Sequence, residues 1–100
     1  MECSIAIQVL PLDKHTDDEV CFVVDRVIAY IDQSNLDYMV SPFETVIQGS
    51  YESCMEVLKG CQLVAAEAGC GDMITMAKIN FRPEGSIMTT ERKLSNYRSE

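Results

Sequence analysis

Two stretches of helical apolar spacing, each opened by a hydroxyl cap, flank a β-rich run that a proline cuts in half. The first opens with Thr16-Asp17-Asp18-Glu19. In this order the Thr16 hydroxyl can accept the amide three residues on while Glu19 reaches back to the Thr16 amide, the reciprocal pair of a capping box. Val20, Val24, Val27, Ile28 and Ile31 then recur on one side, predicting an amphipathic helix over residues 17–34 that Ser34-Asn35 closes. The second stretch is capped by Ser50 and carries Cys54, Val57, Leu58, Cys61, Val64, Ala65 and Ala68 as its stripe. Gly69 supplies the left-handed residue that ends it.

The remaining segments alternate as strands do. In residues 1–12, Ile5, Ile7 and Val9 share one face and Ser4, Ala6 and Gln8 the other, and Pro11 ends the strand. Ser41-Pro42 removes a ladder donor from the middle run, which therefore reads as two strands, 37–41 and 44–49, meeting at a tight turn. Over residues 73–82, Thr75, Ala77, Ile79 and Phe81 face one way and Ile74, Met76, Lys78, Asn80 and Arg82 the other. After Pro83-Glu84-Gly85 a short C-terminal helix is expected from near Thr90, with Leu94 and Tyr97 as its apolar contacts. The order β-α-β-β-α-β predicts an α+β domain spanning residues 1–100, a four-stranded antiparallel sheet with both helices on one face. The opposite face contains Ser4, Ala6, Ile74 and Met76 and is too apolar to be left in water, so self-association through it or through the edge strand is expected.

Charge and cysteines narrow the functional classes. A net charge of −8 disfavours nucleic acid and anionic membrane as partners and mildly favours a cationic ligand. No apolar run approaches the ~20 residues that cross a bilayer, and no signal segment is seen, so a cytoplasmic protein is expected. The five cysteines have no CxxC spacing, and the single His15 has no ligand partner nearby. They read as buried apolar residues in a reducing compartment, with no metal and no cofactor expected. Motifs for serine, phosphate-loop or zinc chemistry are absent, and Gly69-Cys70-Gly71-Asp72 follows a helix where a phosphate cradle would open one.

A few polar residues stand out. Gln8 interrupts the first strand, and Lys78 and Asn80 sit within the last; solvent exposure accounts for each alone. Together, on strands expected to lie side by side at the sheet's centre, they make a polar cluster on an apolar face, the usual character of a small-ligand site. The corner Ser41-Pro42-Phe43-Glu44-Thr45 adds an aromatic ring, a carboxylate and two hydroxyls, and also reads as a plain turn.

The run Ser41-Pro42-Phe43-Glu44-Thr45-Val46-Ile47-Gln48-Gly49 resembles the central signature of the thiamine-binding, YkoF-like family. Val9-Leu10-Pro11-Leu12, Glu67-Ala68-Gly69 and Lys78-Ile79-Asn80-Phe81-Arg82 resemble its first strand, second-helix exit and final strand. The resemblance implies a ferredoxin-like subunit of a homodimer or homotetramer that binds thiamine or its hydroxymethylpyrimidine part without catalysis. Gln48 and Asn80 depart from the glutamate and aspartate common in the family. On this reading the ligand-binding residues are Gln8, Ser41, Phe43, Glu44, Thr45, Gln48, Lys78 and Asn80, near the open face where subunits meet. Phe43 would stack on a ring, and Glu44 or Gln48 would accept from the exocyclic amine. Thr45, Ser41 and Gln8 would satisfy the remaining edge, and Lys78 would pair with Glu44 or meet a phosphate. The pattern leaves the facing of the third strand open. The competing reading is an assembly module that packs through its sheet and binds nothing small; an isomerase-like enzyme, with Glu44, His15 or Lys78 as acid or base, comes third.

Overall fold

The computed structural model describes residues 1–85, so the short helix expected from near Thr90 lies outside the described residues. Its elements are β1 (Glu2–Pro11), α1 (Asp17–Gln33), β2 (Asp37–Val40), β3 (Thr45–Ser50), α2 (Tyr51–Glu67) and β4 (Met73–Arg82). All pairs are antiparallel and the sheet order is β2-β3-β1-β4, the ferredoxin-like arrangement. β4 is therefore an edge strand, not a central one as the polar-cluster argument assumed. It lies beside β1 because the α2 crossover carries the chain past β1 on the side away from β3.

Local chemistry explains where each helix starts. The capping box forms in full, with Glu19 N–H donating to Thr16 Oγ1 at 3.1 Å and Thr16 N–H to Glu19 Oε1 at 3.0 Å. Bonds from His15 N–H and Thr16 N–H to Oε1 hold the Glu19 carboxyl below its ordinary range. Ser50 caps α2 by accepting from Ser53 N–H at 3.2 Å. At the other ends, Asn35 takes a φ of 63° after α1 and Gly69 a φ of 98° after α2, left-handed turns suited to those two residue types.

The core lies between the helices and one face of the sheet. Ile5 and Ile47 of the sheet and Val23 and Ile31 of α1 are fully enclosed, each burial stabilising by roughly 1.5–3 kcal/mol. Cys54 and Cys61 of α2 are sealed in the same cluster, and burial pushes their thiols up to about 12 and about 11. The loop after α2 is tied to the loop after β1: Gly71 N–H donates to Asp13 Oδ2 at 2.8 Å and Leu12 N–H to the Asp72 carbonyl at 2.8 Å. The first of these bonds holds the Asp13 carboxyl below its usual range.

Candidate functional site

Strand register fixes what the sequence pattern left open. Ile7 lies opposite Thr45 and Ile5 opposite Ile47, which puts Thr45 and Ile47 on the helix side and Val46 and Gln48 on the open face. On that open face a polar row runs Asp37–Gln48–Ser4–Asn80, and the next row is Met39–Val46–Ala6–Lys78. Gln8 lies further along, opposite Met76. Lys78 reaches Glu44 at 3.3 Å in an ion pair of the kind the resemblance allowed. Both groups keep contact with water, so the pair contributes at most about 1 kcal/mol.

The concave feature lies elsewhere. A cavity of about 220 Å³ opens on the helix side, between α1 and the corner that joins β2 to β3. It exists because β3 begins only at Thr45, while β1 continues to Pro11 with β4 on its other side. The notch left beside the end of β1 is roofed by Val20, Val24 and Ile28 of α1 and closed by residues 41–44. Of the sequence-derived site residues, Gln8, Ser41, Phe43, Glu44 and Thr45 line this cavity. Gln48 and Asn80 do not, and Lys78 is connected to it only through Glu44.

The corner is rigid for a local reason. Ser41 Oγ donates to the Glu44 carbonyl at 2.6 Å and accepts from Glu44 N–H at 3.2 Å, while Ser41 N–H also donates to the Glu44 carbonyl at 3.0 Å. The Ser41 hydroxyl is thus engaged in holding the turn, and its effect is to present Pro42 and Phe43 at the cavity mouth. Phe43 is 78% exposed, an aromatic ring held out with little cover. Among the described residues no three His, Cys, Asp or Glu side chains converge as a metal site requires, and no helix is long and apolar enough to cross a membrane.

The periodicity of α1 predicted an amphipathic helix without dividing its stripe. In the fold Val23, Val27 and Ile31 make the buried row, while Val20, Val24 and Ile28 form the cavity roof beside it. The stripe is wider than one row of core contacts needs, and that excess width was the signal available.

A model of the thiamine-binding protein family matches residues 5–98. The chain belongs to this family. A UPF0045 protein of Clostridium perfringens is 32% identical over 96 residues, covering 96% of this chain and 97% of the relative. Among solved structures, a domain of unknown function from Bacillus cereus superposes with a TM-score of 0.86 at 32% identity, covering 98% of this chain and 91% of the other. A Thermotoga maritima protein provisionally named for thiamine biosynthesis or salvage gives a TM-score of 0.82 at 26% identity, over 98% of this chain and all of that one. Membership of the thiamine-binding family thus extends across both helices and all four strands around the cavity.

Proposed function

We propose that this member of the thiamine-binding family is a non-enzymatic, cytoplasmic binder of thiamine or its hydroxymethylpyrimidine part, and that the ligand enters the notch between α1 and the β2–β3 corner. The observation that carries the reading is the character of that cavity: an apolar roof of valines and isoleucine, with Phe43 and Glu44 of the corner at its mouth. Such a mixture is usual for small-molecule sites, where apolar walls supply affinity and a few polar groups fix orientation. At about 220 Å³ the cavity is smaller than the ~300 Å³ at which drug-sized sites begin. It therefore suits one ring, with the remainder of the ligand lying at the mouth over Phe43. The aminopyrimidine is the neutral ring and belongs inside; the cationic thiazolium belongs outside, near the Phe43 face and Glu44. The cytoplasmic setting rests on the thiols, since all five cysteines are free.

Calorimetric titration of the protein with thiamine, thiamine phosphates and hydroxymethylpyrimidine tests the reading. Heat with thiamine and with hydroxymethylpyrimidine is expected. Absence of heat with all of them from a folded protein would leave the assembly module in front. One observation favours that second reading in its own right. The edge strand β4 exposes Ile74 and Met76 on one face and Ile79 and Phe81 on the other, an apolar surface on both sides of an edge that no strand among the described residues pairs. We take this strand as the place where a second copy of the chain joins, and the two readings are compatible.

A further inference from the structure

The notch also bears on the main chain. In an antiparallel sheet, successive residues of a central strand aim their N–H and C=O alternately at the two neighbours. Three backbone contacts fix which residues of β1 aim which way. Ser41 N–H bonds to the Glu44 carbonyl, so the β2–β3 alternation leaves the backbone groups of Thr45 and Ile47 aimed at β1. Their partners Ile7 and Ile5 are then aimed at β3. Tyr51 N–H donates to the Met1 carbonyl at 3.0 Å, on the same side, and Leu12 N–H donates to the Asp72 carbonyl at 2.8 Å, on the β4 side. All three agree: odd-numbered residues of β1 face β3 and even-numbered ones face β4.

Val9 is odd-numbered, and β3 ends its pairing with β1 one step earlier, at Ile7–Thr45. The Val9 N–H and C=O are thus aimed into the notch, where the chain has turned away at residues 41–44 and supplies no backbone partner among the described residues. Val9 is half-buried and lines the cavity. An unmade hydrogen bond at such a position is costly, and a ligand that makes it gains accordingly.

We propose that the main-chain N–H and C=O of Val9 are the donor–acceptor pair that recognises the ligand, reading the amine and adjacent ring nitrogen of an aminopyrimidine as a strand reads its neighbour. The amine donates to the Val9 carbonyl and the ring nitrogen accepts from the Val9 N–H. The flat ring takes the place of the missing β3 residue, the principle by which peptides add to a sheet edge. Specificity follows from the order of donor and acceptor: a pyrimidinone, whose exocyclic oxygen accepts and whose adjacent ring N–H donates, in the same pose sets acceptor against the Val9 carbonyl and donor against the Val9 N–H, and binds more weakly. This rests on the aminopyrimidine reading above.

The test separates the two. Amide hydrogen exchange and ¹⁵N–¹H spectra of the whole protein are recorded with and without saturating thiamine or hydroxymethylpyrimidine, and Val9→Pro, Val9→Ala and Leu10→Pro are titrated. Val9 N–H is expected to shift and to exchange more slowly on binding. Val9→Pro lacks only an N–H that the sheet does not use, so it stays folded and loses about tenfold or more in affinity. Val9→Ala keeps the N–H and so loses less affinity than Val9→Pro although both remove the same isopropyl group, whereas Leu10→Pro removes a rung to β4 and destabilises the fold. Wild-type binding with an unchanged Val9 amide, or undiminished binding by folded Val9→Pro, overturns this inference alone. Failure of the wild-type protein to bind either compound overturns the aminopyrimidine reading and this inference with it. If Val9→Pro does not fold, the exchange measurement on the wild-type protein still decides.

Discussion

Phe43 and Glu44 sit side by side in the corner that closes the cavity, and their environments assign them different tasks. The Phe43 ring is almost uncovered, so Phe43→Ala removes little from the folded state. If the ring stacks on the ligand, that substitution lowers thiamine affinity by roughly tenfold, the scale of an aromatic or cation–π contact, while melting temperature and oligomeric mass stay put. Glu44 is already engaged with Lys78. A thiazolium near Glu44 must compete with that ammonium, so Lys78→Ala is expected to tighten thiamine binding by a few-fold and leave binding of the uncharged hydroxymethylpyrimidine unchanged in calorimetry. Equal effects on the two compounds would disconnect Glu44 from the cation. Cysteine behaviour is also set residue by residue. Cys3, Cys54, Cys61 and Cys70 are buried and Cys21 is exposed, so a thiol reagent should add one label to the native protein and five after denaturation, read by mass spectrometry.

At the scale of elements, the two helices depend on contacts that composition does not show. Gly60 lies mid-helix in α2, where exchanging glycine for alanine normally stabilises by about 1 kcal/mol. Here an added Cβ would fall onto the Tyr30 ring of α1. Gly60→Ala is therefore expected to destabilise by ~1–3 kcal/mol in denaturant unfolding, and Tyr30→Ala made alongside should remove most of that penalty. The caps and the inter-loop tie carry a pH signature. Glu19 and Asp13 are both held below their ordinary range by hydrogen bonds to backbone amides. A carboxyl lowered in the folded state contributes stability in full above the unfolded value of about 4, and that contribution is lost as pH falls through the lowered native value. Asp13→Asn combined with Glu19→Gln should thus flatten the acid limb of stability against pH, while lowering stability at pH 7. An acid limb identical to wild type would show that other groups control it.

For the whole molecule, the outer edge of β4 is the feature that bears on assembly: among the described residues no strand pairs with it. Met76 is 56% exposed on one face and Ile79 46% on the other, and a second copy aligned along this edge would bury both. Sedimentation equilibrium is expected to give a mass of two or four chains. Replacing Met76 and Ile79 together by lysine should shift that mass toward one chain, and a mass independent of both concentration and these substitutions would refute self-association through β4. The helical caps, the stripe of α1, the split at Ser41-Pro42 and the left-handed Gly69 were all legible because each rests on residues close in sequence. The facing of β3 was not legible, since both of its sides are half apolar and only pairing with β1 distinguishes them. The edge position of β4 was missed for a similar reason: strand order depends on where a crossover lands, which local pattern does not encode.

The sequence alone determined the number, kind and order of the elements through residue 85, the corner that closes the cavity, and the family. Those follow from periodicity, capping and a signature, all short-range properties of a chain. Tertiary structure decided where the cavity lies, in the notch under α1. Gln8, Ser41, Phe43, Glu44 and Thr45 line it, while Gln48 and Asn80 do not. The physical reason is a difference in strand length. β1 outruns β3, and an unfilled place beside a strand arises only when two distant segments are laid side by side.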